Sequence, residues 1–421
     1  MATITIKRLS VTTAASIFLS LLITGKAEAF TFTKIADDSG PFSFVNVSFG
    51  ARPVINNRGT VAFLTNLDTG DEGIFTGSGG ATTTIAIADD SGPSGTFGTF
   101  RSPPALNDEG TVAFTAFLST GVPRGFFGGG LFTNNGGLTT FIADSNLQFV
   151  PSLGDPAINN EGTIAITAPL SGEPGSGIFT VSGGATTLIA ALIDDRSGPF
   201  SGFGGLAIND AGTVAFLVSQ DEGRGIFTTS GGAITTIADS SGPFGYFGGL
   251  AINNAGTLAF FAFRDFQDVL EGGGGGGIFT SSGGVTTIIA DNTGPFRTFS
   301  GLAINDAGTV AFLASLDEGG SGIFTGPNPV TDKVIATGDS LFNSTVTSFG
   351  FGGFGSKGLN NAGQLTFFAQ LADGSSGIFR ADPESTQNPQ PVSEPASVLD
   401  LLAVGALGIG TWWKRQQRRT S

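Results

Sequence analysis

The chain of 421 residues contains no cysteine and no histidine, and only one tyrosine and one methionine. Disulfides, iron–sulfur clusters, thiolate nucleophiles and a cysteine-borne lipid anchor are therefore excluded. So are imidazole metal ligands and a Ser-His-Asp triad, because the usual general base at neutral pH is missing. Positive charge is scarce: 19 Lys+Arg stand against 34 Asp+Glu, a formal charge of −15. That is the wrong sign for nucleic acid, which recruits Lys and Arg. Charged residues of both signs amount to 13%, too few for a charged disordered chain. What is abundant is glycine, 68 residues, and phenylalanine, 40 residues. The combination fits many turns around a large aromatic core.

The two ends read as addresses. Lys7 and Arg8 precede an apolar stretch from Val11 to Ile23, and Ala27-Glu28-Ala29 gives a small-x-small cleavage pattern. Residues 1–29 thus read as a secretory signal peptide, with Phe30 first in the mature chain. The apolar stretch is short for a membrane span of about 20 residues, which favours cleavage over anchoring. Export gives access to an oxidising compartment, yet there is no cysteine to use it, so stability must come from packing and closure. At the other end, residues 381–393 (ADPESTQNPQPVS) are polar and Pro-containing, as a linker is. Ser393-Glu394-Pro395-Ala396-Ser397 follows, then an apolar run from Val398 to Trp413 broken only by Asp400. The run is marginal in length for a transmembrane helix. Trp412 and Trp413 occupy an interfacial position, and Lys414, Arg415, Arg418 and Arg419 form a basic tail of the positive-inside kind.

This three-part tail, residues 391–421, resembles the PEP-CTERM sorting signal of exported bacterial proteins. The family core is Pro-Glu-Pro; here Ser393 replaces the first proline, while Glu394, Pro395 and Ala396 match. The resemblance implies processing by signal peptidase and a membrane-embedded exosortase, with transient or permanent inner-membrane anchoring on the way. It further implies a destination in the envelope, outer surface or extracellular matrix of a Gram-negative-type bacterium that makes exopolysaccharide.

Between the ends the chain repeats itself, the first feature to seek in any sequence. The unit Ala-Ile-Asn-Asp-Ala-Gly-Thr-Val-Ala-Phe at 303–312 has its Asn echoed at Asn56, Asn107, Asn159, Asn209, Asn253, Asn305 and Asn360. A glycine follows three places later each time, from Gly59 to Gly363. A second signature, Gly-Ile-Phe-Thr or a near variant, begins at Gly73, Gly130, Gly177, Gly225, Gly277, Gly322 and Gly377. Each repeat resolves into four short strands. The first ends in Ala-Ile-Asn, and an Asn-Asp-x-Gly turn leads to the second, with Gly supplying positive φ. The third is Gly-Ile-Phe-Thr, and a Gly-Gly turn leads to the fourth. Contiguous apolar residues such as Val214-Ala215-Phe216-Leu217 suggest strands covered on both faces.

Seven four-stranded repeats of about fifty residues predict an all-β fold, a seven-bladed β-propeller over residues 30–380. An open β-solenoid is the alternative. The phase of the repeats separates them: the fourth strand is missing after Gly377-Ile378-Phe379, but a lone strand of that type opens the mature chain at Thr31–Asp37. The N-terminal strand can complete the last blade, close the ring and remove open sheet edges. The domain plan is then 1–29 signal peptide, 30–380 propeller, 381–393 linker and 394–421 sorting and anchor segment. The body resembles repeat regions that often accompany PEP-CTERM tails.

Little in the body suggests catalysis. The repeated Asn-Asp-x-Gly-Thr lacks the spaced acids of a calcium loop. Gly272–Gly277 lacks the Lys-Ser/Thr end of a phosphate loop. Asp-x-Ser/Thr-Gly-Pro-Phe, at Ser39–Phe42, Ser197–Phe200, Ser241–Phe244 and Thr293–Phe296, reads as a turn whose Phe plugs between blades. Asp194-Asp195 and Asp221-Glu222 are adjacent carboxylates, usually no more than solvated charge, and Tyr246 is the one tyrosine that a lyase would need as base. The expectation is a non-enzymatic interaction or structural component of the cell surface or exopolysaccharide matrix, with no catalytic residue, no metal ligand and no required cofactor. Its candidate partners are a polysaccharide or a surface protein. The alternative is a glycosidase-like carbohydrate-active enzyme on a propeller scaffold. Residues 30–395 hold 12 basic and 32 acidic residues. Many of the acids fall in the fourth-to-first and second-to-third loops, so Ca²⁺ on that rim is a possible ligand.

Overall fold

A computed structural model describes residues 29–44, 52–88, 97–100, 102–118, 129–142, 154–170, 175–193, 202–220, 223–264, 275–352, 355 and 357–384. Ala27, the sorting motif Glu394-Pro395-Ala396, the apolar run and the basic tail Lys414, Arg415, Arg418 and Arg419 lie outside these. So do the acidic pairs Asp194-Asp195 and Asp221-Glu222.

Regular structure among the described residues is entirely β. Blade four shows the common pattern: Gly202–Ile208, Val214–Gln220, Gly223–Ser230 and Ala233–Asp239 pair in chain order, each antiparallel to the next. The Asn-x-x-Gly turn is tight because the glycine of every repeat has positive φ, from +75° at Gly212 to +86° at Gly110. A side chain there would strain the left-handed backbone.

The second and third strands carry the core. Phe63 pairs with Phe75, Phe114 with Phe132, Phe216 with Phe227, Phe260 with Phe279, Phe312 with Phe324 and Phe367 with Phe379. Blade three places Ile166 opposite Phe179 instead. The paired rings lie 5.6–6.2 Å apart, a separation at which aromatic pairs add about 0.5–1.5 kcal/mol beyond their burial. The glycine two residues before the third-strand Phe has a steric cause. A Cβ on Gly225 would lie 2.8 Å from the Phe227 ring, and one on Gly73 only 2.4 Å from that of Phe75. The Phe after Gly-Pro does plug the core: Phe296 meets Phe312 and Phe324 at 5.6 and 5.0 Å, and Phe244 meets Phe279 at 4.7 Å.

The apolar core is divided into seven clusters, each shared by two neighbouring blades. One of them joins the last blade to the first, packing Ile378 with Ile35, Phe63 and Phe75. The expected closure is present. Phe30–Asp37 pairs antiparallel with Ser376–Pro383, from Phe30 opposite Pro383 to Asp37 opposite Gly377. The register shifts between Lys34 and Ala36, opposite Phe379 and Ile378. The same Ile/Phe position carries the shift between third and fourth strands in blades one, three, four, five and six. The N-terminal strand is therefore a true fourth strand in the common register, and the solenoid alternative is excluded.

Candidate functional site: the propeller axis

The residues just before the repeat asparagines, Ile55, Ile208, Ile252, Ile304 and Leu359, line one shared cavity. The first strands therefore surround the axis, and the Asn-x-x-Gly turns crowd around one end of it. Each repeat asparagine is at most 5% exposed. Its side-chain Oδ1 accepts the backbone N–H four residues on, as Asn159 does from Thr163 at 2.8 Å. Its Nδ2 donates to the carbonyl oxygen of the next blade's asparagine. These bonds run Asn56 to Asn107, Asn159, Asn209, Asn253, Asn305 and Asn360, and Asn360 returns to Asn56, all at 3.0–3.2 Å. An aspartate would supply the acceptor but not the donor.

A second ring lies beside the first. The next residues are Asn57, Asp108, Asn160, Asp210, Asn254, Asp306 and Asn361, and each backbone N–H donates to the side chain of its neighbour in the following blade at 2.7–2.9 Å. Amide and carboxylate alternate, so each carboxylate also accepts two side-chain N–H groups. Asp210, for example, takes Asn160 at 2.9 Å and Asn254 at 2.7 Å. Seven is odd, so Asn361 and Asn57 meet with no carboxylate between them. With three donors on each carboxylate, little capacity is left for a cation.

The axis is crossed by the chain itself. Gly355 and Lys357, just before Leu359, lie against the first strands of other blades. Gly355 N–H donates to the Leu250 carbonyl at 2.9 Å, and the Lys357 carbonyl accepts from Ile55 N–H at 2.7 Å. Gly355 has φ +69°, and a Cβ on it would lie 1.8 Å from the Leu206 carbonyl oxygen. Gly355→Ala is expected to cost roughly 2–4 kcal/mol, combining left-handed strain with overpacking. A thermal melt checks this, and protection of the Gly355 amide from hydrogen exchange should fall with it.

Above the crossing segment is a second axial space, lined by Arg52, Asp155 and Lys357 among Val54, Pro103, Pro104, Leu106, Ile158 and Ile208. Burial pushes the Asp155 carboxyl above its usual range, and the charge of Arg52 opposes this only in part. A carboxyl raised in the fold binds protons more readily there than in the unfolded chain. Stability therefore falls as pH rises through the interval between the ordinary value of 3.8 and the raised one. Asp155→Asn is expected to raise the melting temperature at pH 7, with the gain vanishing below the ordinary carboxylate range. Melts across pH 3–7 check the sign.

Several of the described rim acids serve local structure. Asp37, Asp291 and Asp373 accept the hydroxyls of Ser39, Thr293 and Ser375 at 2.6 Å, capping their own turns. Glu72 accepts from Thr99 Oγ1 and Phe100 N–H of the next blade at 2.7 and 2.9 Å. Asp38 holds Ser376 across the closure. Among the described residues no three acidic side chains come together as a metal site requires. Tyr246 lies beneath Arg224, whose guanidinium carbon is 4.4 Å from the ring centre. Phe30, the expected first mature residue, begins the closing strand and Ala29 directly precedes it. Among the described residues no helix is long and apolar enough to cross a membrane.

From the sequence alone the repeated asparagine reads as a turn starter only. The missed signal was its uniformity: a turn accepts Asp in that place, yet all seven repeats carry Asn, and the position after it alternates Asn and Asp.

Seven blades around a plugged axis, the first two joined by one parallel pairing of Ala88 with Phe97, define a β-propeller. The chain belongs to a family of unknown function (DUF7453), whose model matches residues 28–388. No curated protein matches the sequence. Among solved structures, the β-propeller domain of the Trilobed protease from Pyrococcus furiosus is similar at 11% identity and a TM-score of 0.51. The match covers 78% of this chain and 95% of that one. A puromycin-hydrolyzing peptidase from Mycobacterium tuberculosis matches at 10% identity and a TM-score of 0.49, over 85% of this chain and 55% of its own. YCF48 from Cyanidioschyzon merolae matches at 11% identity and 0.43, over 84% and 98%. At these identities the likeness concerns the fold alone.

Proposed function

We propose that this propeller is an exported, non-enzymatic interaction module of the cell surface or extracellular matrix, delivered by its signal peptide and sorted by its PEP-CTERM-like tail. The observation that carries the reading is the layout of the chain. A ring closed upon its own first strand lies between a signal-like leader and a tail with sorting motif, apolar run and basic end. Closure by Phe30–Asp37 lets the ring begin at the mature N-terminus. The absence of histidine and cysteine from the sequence counts against hydrolysis by a histidine-based triad or a thiolate. Peptidases are known on similar scaffolds, but the axial groups of this chain include no nucleophile with an adjacent base among the described residues.

Fractionation of the native host tests the proposal. The chain is expected in the surface or matrix fraction, beginning at Phe30 and yielding no peptides beyond about Ala396. Retention in the cytoplasm with both ends intact would overturn it. Release of reducing sugar from host exopolysaccharide by the purified chain would favour the glycosidase-like alternative instead.

A further inference from the structure

Basic side chains are few in this body, and most of those described are already engaged. Lys34, Arg58, Lys333 and Arg380 are each in an ion pair with an acid, and Arg224 lies over Tyr246. Arg52, Arg264, Arg297 and Lys357 have neither kind of partner among the described residues; of these, Arg52 and Lys357 line the upper axial space, where the charge of Arg52 also acts on Asp155. Asp155 is the one acid with them, so the cavity carries more positive than negative charge inside a strongly acidic protein. It is small, about 30 Å³, room for about two water-sized groups. A carboxylate has two such oxygens, and a guanidinium is the side chain that matches their geometry.

Asp155 also lines a second, larger space of about 410 Å³ between blades three and four. That cleft is bounded by Gly154, Thr167, Ser176, Phe203, Gly204 and Gly205. The hydroxyls of Thr167 and Ser176 have no hydrogen-bond partner among the described residues, and Phe203 is half-buried with its edge on Phe216 at 6.1 Å. Free hydroxyls, an aromatic surface and a shared carboxylate suit a body rich in hydroxyls and C–H faces; two cations beyond them suit its acid group.

We infer that the two spaces form one site for an acidic sugar, with a uronate carboxylate set toward Arg52 and Lys357 and the sugar ring in the cleft between blades three and four. Asp155 stands between them and accepts hydrogen bonds from ring hydroxyls. The buried carboxylate is costly to the fold, as residues kept for binding often are. The acidic rim repels a polyanion elsewhere, so the site takes a single residue or chain end rather than a long stretch of polymer. This inference rests on the proposed binding role and names the chemistry of the partner.

Calorimetry or ligand-observed NMR on the purified full chain tests it, with glucuronate, glucose and acetate as probes. Glucuronate is expected to bind at least tenfold more tightly than either of the others. Arg52→Gln should weaken it tenfold or more and Ser176→Ala severalfold, while Lys333→Gln, outside the site, changes nothing. Circular dichroism and melting confirm that each variant is folded. Equal affinity for glucose and glucuronate would overturn the role of the cations, and equal affinity for acetate would overturn the role of the cleft. Undetectable glucuronate binding, or an Arg52→Gln variant that binds like the parent, would sink the site outright. Surface localisation is measured independently, so it can stand while this site falls.

Discussion

Deleting residues 30–38 is expected to remove most of the stability of the ring. The deleted segment supplies the outer strand of blade seven and the buried side chains Ile35 and Ala36, which pack with Phe42, Phe63 and Phe75 of blade one. It also takes away the Phe32 ring that meets Phe367 edge-on at 6.2 Å and the Asp38 carboxylate that holds Ser376. Burial of one large apolar side chain contributes about 1.5–3 kcal/mol, and each ladder hydrogen bond contributes about 1 kcal/mol net. The sum is roughly 5 kcal/mol or more, comparable to the whole stability of a typical domain. Thermal and urea melts should show a large loss, and the bare Ser376–Pro383 edge should promote association. A melting temperature within a degree of the parent would mean that the N-terminal strand does not close the ring.

Asn159→Asp is the second large effect. Asn159 is 1% exposed, donates to the Asn209 carbonyl at 3.0 Å and accepts from Thr163 N–H at 2.8 Å. Aspartate keeps the acceptor but places a charge in the buried ring and leaves the Asn209 carbonyl with only the Gly212 N–H of its own turn. An uncompensated buried charge of this kind costs about 3–5 kcal/mol. Acid should rescue the variant in part, since protonation restores a donor. The matching exposed change, Asp306→Asn, removes a carboxylate from the second ring only and should cost far less. Equal melting temperatures for the Asn159→Asp variant and the parent would show that the asparagine ring does not hold the turns together.

The fold was legible because its determinants repeat. Gly at each Asn-x-x-Gly turn, the Gly-Ile-Phe unit and the phase offset at Thr31–Asp37 are local signals, and each appears many times over. The axis was not legible for the opposite reason. Gly355, Arg52, Asp155 and Lys357 come from blades one, three and seven and each occurs once, so periodicity gives them no weight. The hydrogen bonds from Asn to the next blade span about one repeat, and their partner is a backbone carbonyl that leaves no trace in the sequence. The acidic loops were readable as charge, but not as turn caps: Asp37, Asp291 and Asp373 are committed to a hydroxyl two residues away.

Axial crown, crossing segment and sugar site all require that the last blade be completed by the first strand. The chain has no cysteine, so one engineered pair tests this without interference. Thr31 and Asp382 are direct partners in the antiparallel register, where Cα atoms lie about 4.5–5.5 Å apart, within disulfide range. In the Thr31→Cys, Asp382→Cys variant, mild oxidation of the folded chain should form the bridge quantitatively; because Asp382 also pairs with Arg380, bridge formation and not the melting temperature is the readout. Two free thiols persisting in the folded, oxidised protein would contradict the closed ring.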